Sequence, residues 1–65
     1  MKTMYDVQQL LKRFGIFVYT KDRIADLDLM HEEVKNLYDA KLISTTIYQQ
    51  AILLIRKEMR IVKKL

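Results

Sequence analysis

Residue types that ordinarily carry catalysis are few in this 65-residue chain: one His, one Ser and no Cys. The run His31-Glu32-Glu33-Val34-Lys35 begins like the helical zinc-protease motif, in which two His one turn apart hold the metal beside a Glu base. Lys35 stands where the second His must be, so His31 is read as a half-buried or surface helical residue. The pairs Asp22/Asp26 and Asp28/Glu32 are each spaced four apart. That spacing suits paired acids or a bound cation, but no cleft-forming residues accompany them, and they are read as an exposed acidic face. A loop that cradles phosphate needs several glycines, and Gly15 stands alone. The expectation is a protein without enzymatic activity, metal or cofactor. A pocket lined by His31 and carboxylates would reopen that question.

The sharper polar feature is cationic. Arg56, Arg60, Lys63 and Lys64 are spaced 4, 3 and 1, so on a helix they share an arc of about 80–100°. Lys57 widens this stripe, and Gln49 and Leu53 extend it toward earlier turns. Clustered cations gain affinity for polyanions by releasing condensed counterions, whatever the base sequence. Single-stranded nucleic acid is held additionally by stacking on aromatic rings. Tyr5, Phe17, Tyr19, Tyr38 and Tyr48 are the available rings, with Phe17 and Tyr19 close to Lys21 and Arg23. The candidate nucleic-acid-binding set is Lys12, Arg13, Tyr19, Lys21, Arg23, Arg56, Lys57, Arg60, Lys63 and Lys64. The opposing reading treats the rings as core and the stripe as a solubilising helix face.

Charge along the chain supports an anionic partner. Lys2, Lys12 and Arg13 against Asp6 leave residues 1–20 at +2. Residues 21–39 are acidic at −3, with three cations (Lys21, Arg23, Lys35) against six carboxylates, and residues 40–65 are basic at +5, with six cations against Glu58 alone. A dipolar molecule of net charge +4 results.

Three elements must position these groups. The first is expected over residues 4–14: Thr3 and Asp6 form a capping-box variant, Val7, Leu10, Leu11 and Phe14 recur at helical spacing, and Gly15 closes the end in a Schellman turn that packs Ile16 on Leu11. Ile16, Phe17, Val18 and Tyr19 are β-branched or aromatic. With no second strand to pair, residues 16–19 are read as an extended connector whose side chains plug the bundle end. A second helix is expected over 22–41, capped by Thr20 or Asp22. Its inner stripe is Ile24, Leu27, Met30 or His31, Val34, Leu37, Tyr38 and the stem of Lys41. Ser44 caps a third helix over 45–64 with two apolar seams. One is Tyr48, Ile52, Ile55, Met59 and Val62; the other is Ile47, Ala51, Leu54, Ile61 and Leu65. That wide apolar arc either packs against both other helices or carries a self-association surface as well. The architecture is an all-α, compact three-helix bundle forming a single domain over 1–65.

Composition agrees. No Cys, no Pro and one Gly, with 51% hydrophobic and 31% charged residues, exclude a disulfide scaffold, a turn-rich β-sandwich and a disordered chain. Lys12 and Arg13 interrupt any secretory h-region. No apolar run approaches the roughly 20 residues of a membrane span. A cytoplasmic location is expected.

The run Tyr5-Asp6-Val7-Gln8-Gln9-Leu10-Leu11, then Gly15, Tyr19-Thr20, Asp22-Arg23, Asp26-Leu27 and Met30, resembles the YqgQ-like family of small proteins from Gram-positive bacteria. Leu37-Tyr38, Leu42-Ile43-Ser44, Tyr48 and the Ala51–Ile55 run extend the resemblance over nearly the whole chain. It implies a compact three-helix bundle, cytoplasmic, without known cofactor, and a role in binding single-stranded nucleic acid. It supplies no catalytic residue. Arg23 and Tyr19 are the matching polar positions best suited to DNA or RNA. The alternative is a protein-interaction or self-associating helical module, with an acidic protein or a second copy as partner. Anionic lipid ranks last, because the apolar face of the third helix is needed for the bundle.

Overall fold

The computed structural model describes residues 1–64, and three helices account for the chain's regular structure there: α1 (Met4–Arg13), α2 (Arg23–Asp39) and α3 (Thr45–Lys63). Each begins where the sequence offers a cap. The Asp6 carboxylate accepts the backbone N–H groups of Lys2 at 2.7 Å and Thr3 at 3.1 Å, satisfying donors that the first turn of α1 leaves free. Asp22, not Thr20, caps α2, accepting from Ile24 and Ala25. Ser44 caps α3 through Ile47 N–H at 3.1 Å.

α1 closes as a Schellman turn. Gly15 sits at φ +73°, its N–H bonds Lys12 O, and Ile16 N–H reaches back to Leu11 O at 3.0 Å. The same closure ends α2 without a glycine. Lys41 takes φ +62°, donates to Tyr38 O, and Leu42 N–H bonds Leu37 O at 2.9 Å. This corrects the reading of Lys41 as the last inward position of a helix reaching 41. Residues 40 and 41 lie beyond the helix, and the Lys41 side chain is exposed. A left-handed C′ position ends the helix whatever residue holds it.

The core is built from Val7 and Leu11 of α1, Leu27, Met30, Val34 and Leu37 of α2, and Ala51, Ile52 and Ile55 of α3. Full burial of a Leu, Val, Ile or Met side chain stabilises by roughly 1.5–3 kcal/mol, and six of these larger side chains are essentially sealed from water. α2 and α3 form an antiparallel hairpin. At its closed end the Tyr38 and Tyr48 rings stack with centroids 4.2 Å apart, and Tyr38 OH bonds Thr45 Oγ1. Near the other end the Arg23 guanidinium lies 3.5 Å from Glu58. The second apolar seam of α3 is only partly used: Ala51 is buried, Ile47 and Leu54 are half-buried and Ile61 is exposed. Leu65, its last expected member, lies outside the described residues.

Candidate nucleic-acid interface

The connector follows the alternation of an extended chain. Ile16 and Val18 pack against the core, whereas Phe17 and Tyr19 are 74% and 79% exposed. Two of the four side chains plug the bundle end, and two face outward. The reason is geometric: in extended backbone successive side chains point to opposite sides. A hydrogen-bonded anchor holds the segment. Thr20 donates its backbone N–H and its hydroxyl to the Asp26 carboxylate, each at 2.7 Å. Asp26 is only 6% exposed. It does not belong to an exposed acidic face, as its pairing with Asp22 had suggested; both carboxylates serve the entry into α2, one as cap and one as anchor.

Cations collect around this rigid edge. Two grooves of about 350 and 430 Å³ adjoin one another and share Gln8, Val18, Tyr19 and Met30. Lys12 and Phe17 line the first, and Lys21 and Arg23 line the second. Lys12 of α1 and the run Tyr19, Lys21 and Arg23 that leads into α2 therefore meet in space. Phe17 joins them. It stands outside the ten-residue candidate set, although its alternation with inward Ile16 and Val18 carries the signal for it. Arg23 is also the cation that Glu58 holds, across a half-exposed pair.

The remaining cations lie elsewhere. Arg56, Arg60 and Lys63 line an open groove of about 660 Å³ between α2 and α3, opposite Asp28, His31 and Glu32 and above Ile55 and Met59. Lys57 and Lys64 are exposed on α3. Arg13 belongs to a third groove, lined also by Lys2, Phe14 and Leu42, and not to the Lys12 side of α1. The candidate cations thus fall into three separate regions and do not form one patch. The positions of Lys12, Arg13, Arg60 and Lys63 in the last turns of their helices also complement the helix dipole. Among the rings, Tyr38 and Tyr48 are spent on each other, while Tyr5, Phe17 and Tyr19 remain open to solvent.

The α2–α3 groove does bring His31 beside Asp28 and Glu32, the arrangement that would reopen acid–base chemistry. Its carboxylates and cations are all exposed, so water screens them from one another. Among the described residues no group of three or more His, Asp or Glu converges to hold a metal, and no helix is long and apolar enough to cross a membrane.

Similarity to known proteins agrees with this framework. Residues 1–61 match the family described as YqgQ-like. The chain is 44% identical over 59 residues to "Uncharacterized protein YqgQ" of Bacillus subtilis (strain 168), an alignment covering 91% of this chain and 83% of that protein. The chain belongs to the YqgQ-like family. Within this YqgQ-like protein the anchored connector brings two open rings and three cations onto one edge.

Proposed function

We propose that this protein is a non-enzymatic, cytoplasmic binder of single-stranded nucleic acid, and that the strand is held at the connector. Phe17 and Tyr19 offer flat apolar faces to unpaired bases, while Lys12, Lys21 and Arg23 neutralise the phosphates between them. The observation that carries the reading is the exposure of both rings, 74% and 79%, on a segment pinned by Thr20 and Asp26. Large aromatic rings left in water cost free energy that burial elsewhere would recover, and a fixed pair beside cations is the platform that unpaired bases require. Base edges play little part, because the polar groups around the grooves are mainly charged heads suited to phosphate.

The α3 stripe is the weaker site for a polyanion, since Asp28 and Glu32 share its groove and repel phosphate drawn to it. Acid–base catalysis in that groove has less support still, because its carboxylates lie open to solvent with no enclosed cleft around them.

Amide chemical-shift mapping with a short single-stranded oligonucleotide tests the assignment. The expected result is a set of perturbations concentrated at Lys12 and residues 16–23. Perturbations confined to α3, or none at low salt, would overturn it.

A further inference from the structure

We propose that the face shared by α2 and α3 is a self-docking surface, on which the acidic row of α2 in one copy meets the basic row of α3 in a second copy. Asp28 and Glu32 lie one turn apart on α2, and Arg56, Arg60 and Lys63 lie along α3, all lining one groove. All five are exposed. Among the described residues the ion pair within 4.0 Å is Arg23–Glu58, so these rows face each other without closing on themselves. Their charge is available to a partner of complementary pattern, and the chain itself has that pattern. Leu53 stands on the same ridge of α3 as Arg56 and Arg60, at i, i+3 and i+7, and is 65% exposed. It adds an apolar contact among the charges.

The antiparallel hairpin makes the match geometrically simple. A two-fold axis parallel to the helices sets α2 of one copy over α3 of the other, running antiparallel, and keeps every residue at its own height along the bundle. All five line one groove, and the register set by the Tyr38–Tyr48 and Arg23–Glu58 contacts puts Asp28 and Glu32 beside Arg56, with Arg60 and Lys63 about one and two turns further along α3. The operation therefore brings the acidic row of each copy opposite Arg56 of its mate, within reach of the long Arg60 side chain, and the contact forms twice. Extents of 35 × 21 × 18 Å restrict any face to at most the standard interface size of about 800 Å² per partner. A contact of that size built on exposed charge is weak and salt-sensitive. It uses none of the connector residues and does not depend on nucleic-acid binding.

Sedimentation equilibrium up to high protein concentration, at low and high salt, provides the test. The samples are the native chain, the double variant Asp28→Lys/Glu32→Lys, the double variant Arg56→Glu/Arg60→Glu, and an equimolar mixture of the two variants. The native chain is expected to form dimers that dissociate as salt rises. Each variant alone should weaken dimerisation at least tenfold, because like charges then meet. The mixture should restore it, since both contacts regain opposite signs. Circular dichroism establishes that each variant is folded, and Leu53→Ser serves as an uncharged second probe that should also weaken the dimer. A native chain that stays monomeric at low salt overturns the proposal. So does a mixture that fails to associate, or a dimer indifferent to salt and to both charge variants.

Discussion

Thr20 places its backbone N–H and its hydroxyl on one oxygen of the buried Asp26 carboxylate, both at 2.7 Å. Two residues six apart in sequence thereby fix the angle at which the connector enters α2. The open faces of Phe17 and Tyr19 inherit their position from that pair. Replacing Asp26 by Asn exchanges a charge-assisted acceptor for a neutral one. Replacing it by Ala leaves the Thr20 donors without their partner. Losses of about 1 kcal/mol for Asn and up to about 3 kcal/mol for Ala are expected, read by urea denaturation. Neutral behaviour of the Ala variant would contradict the anchor.

Two helix ends share one backbone shape but not one residue type. Gly15 and Lys41 both hold left-handed φ, at +73° and +62°. A side chain at such a position costs roughly 1–2 kcal/mol. Lys41→Gly should therefore stabilise the protein by about 1 kcal/mol once the extra freedom of glycine in the unfolded chain is offset. Gly15→Ala should destabilise it by about 1 kcal/mol after the same offset, through the backbone alone, since an added Cβ meets nothing within 4 Å. Thermal melts of both variants provide the check, with opposite signs expected.

Asp6 contributes to the acid limb of stability. Its carboxylate accepts backbone N–H groups from Lys2 and Thr3, and these bonds hold its pKa below the ordinary value of 3.8. A carboxylate depressed in the folded state contributes stability that is present above 3.8 and is lost as pH falls through the lower folded value. Denaturation midpoints followed into acid should drop more steeply for the native chain than for Asp6→Asn. Parallel curves would show that the cap contributes no linkage.

If a strand binds as proposed, its phosphate competes with Glu58 for the Arg23 guanidinium. A half-exposed pair of this kind is worth about 1 kcal/mol or less to the fold. Glu58→Gln should leave stability nearly unchanged and tighten binding of a single strand. Its salt dependence should also steepen, by up to about 0.7 in logarithmic slope if Arg23 gains a full phosphate contact. Weaker binding in that variant would mean that Glu58 positions Arg23 and does not restrain it.

Much of this framework is legible in the residues themselves. Thr3–Asp6, Gly15 and Ser44 punctuate the helices through local chemistry, and Val7, Leu11, Leu27, Val34 and Ile55 follow the helical period. What sequence spacing does not carry is contact between elements. Asp26 reads as solvent-facing because its partner Thr20 lies outside its helix. Lys41 reads as helical because nothing in its side chain announces a left-handed turn. The division of the cations depends on which way α1 and α3 face, so Lys12 and Arg13, neighbours in sequence, end on different grooves. The stack of Tyr38 on Tyr48 likewise appears only once the hairpin closes.

The central claim is that open rings and neighbouring cations act together at the connector. Fluorescence anisotropy of a labelled single-stranded oligonucleotide, titrated across a salt series with the native chain and with Phe17→Ser/Tyr19→Ser, tests it most directly. Three phosphate contacts predict a logarithmic salt slope near −2 for the native chain. Loss of both rings should weaken affinity about tenfold or more while leaving that slope nearly unchanged. No binding at low salt, or equal affinity with and without the two rings, would contradict the account.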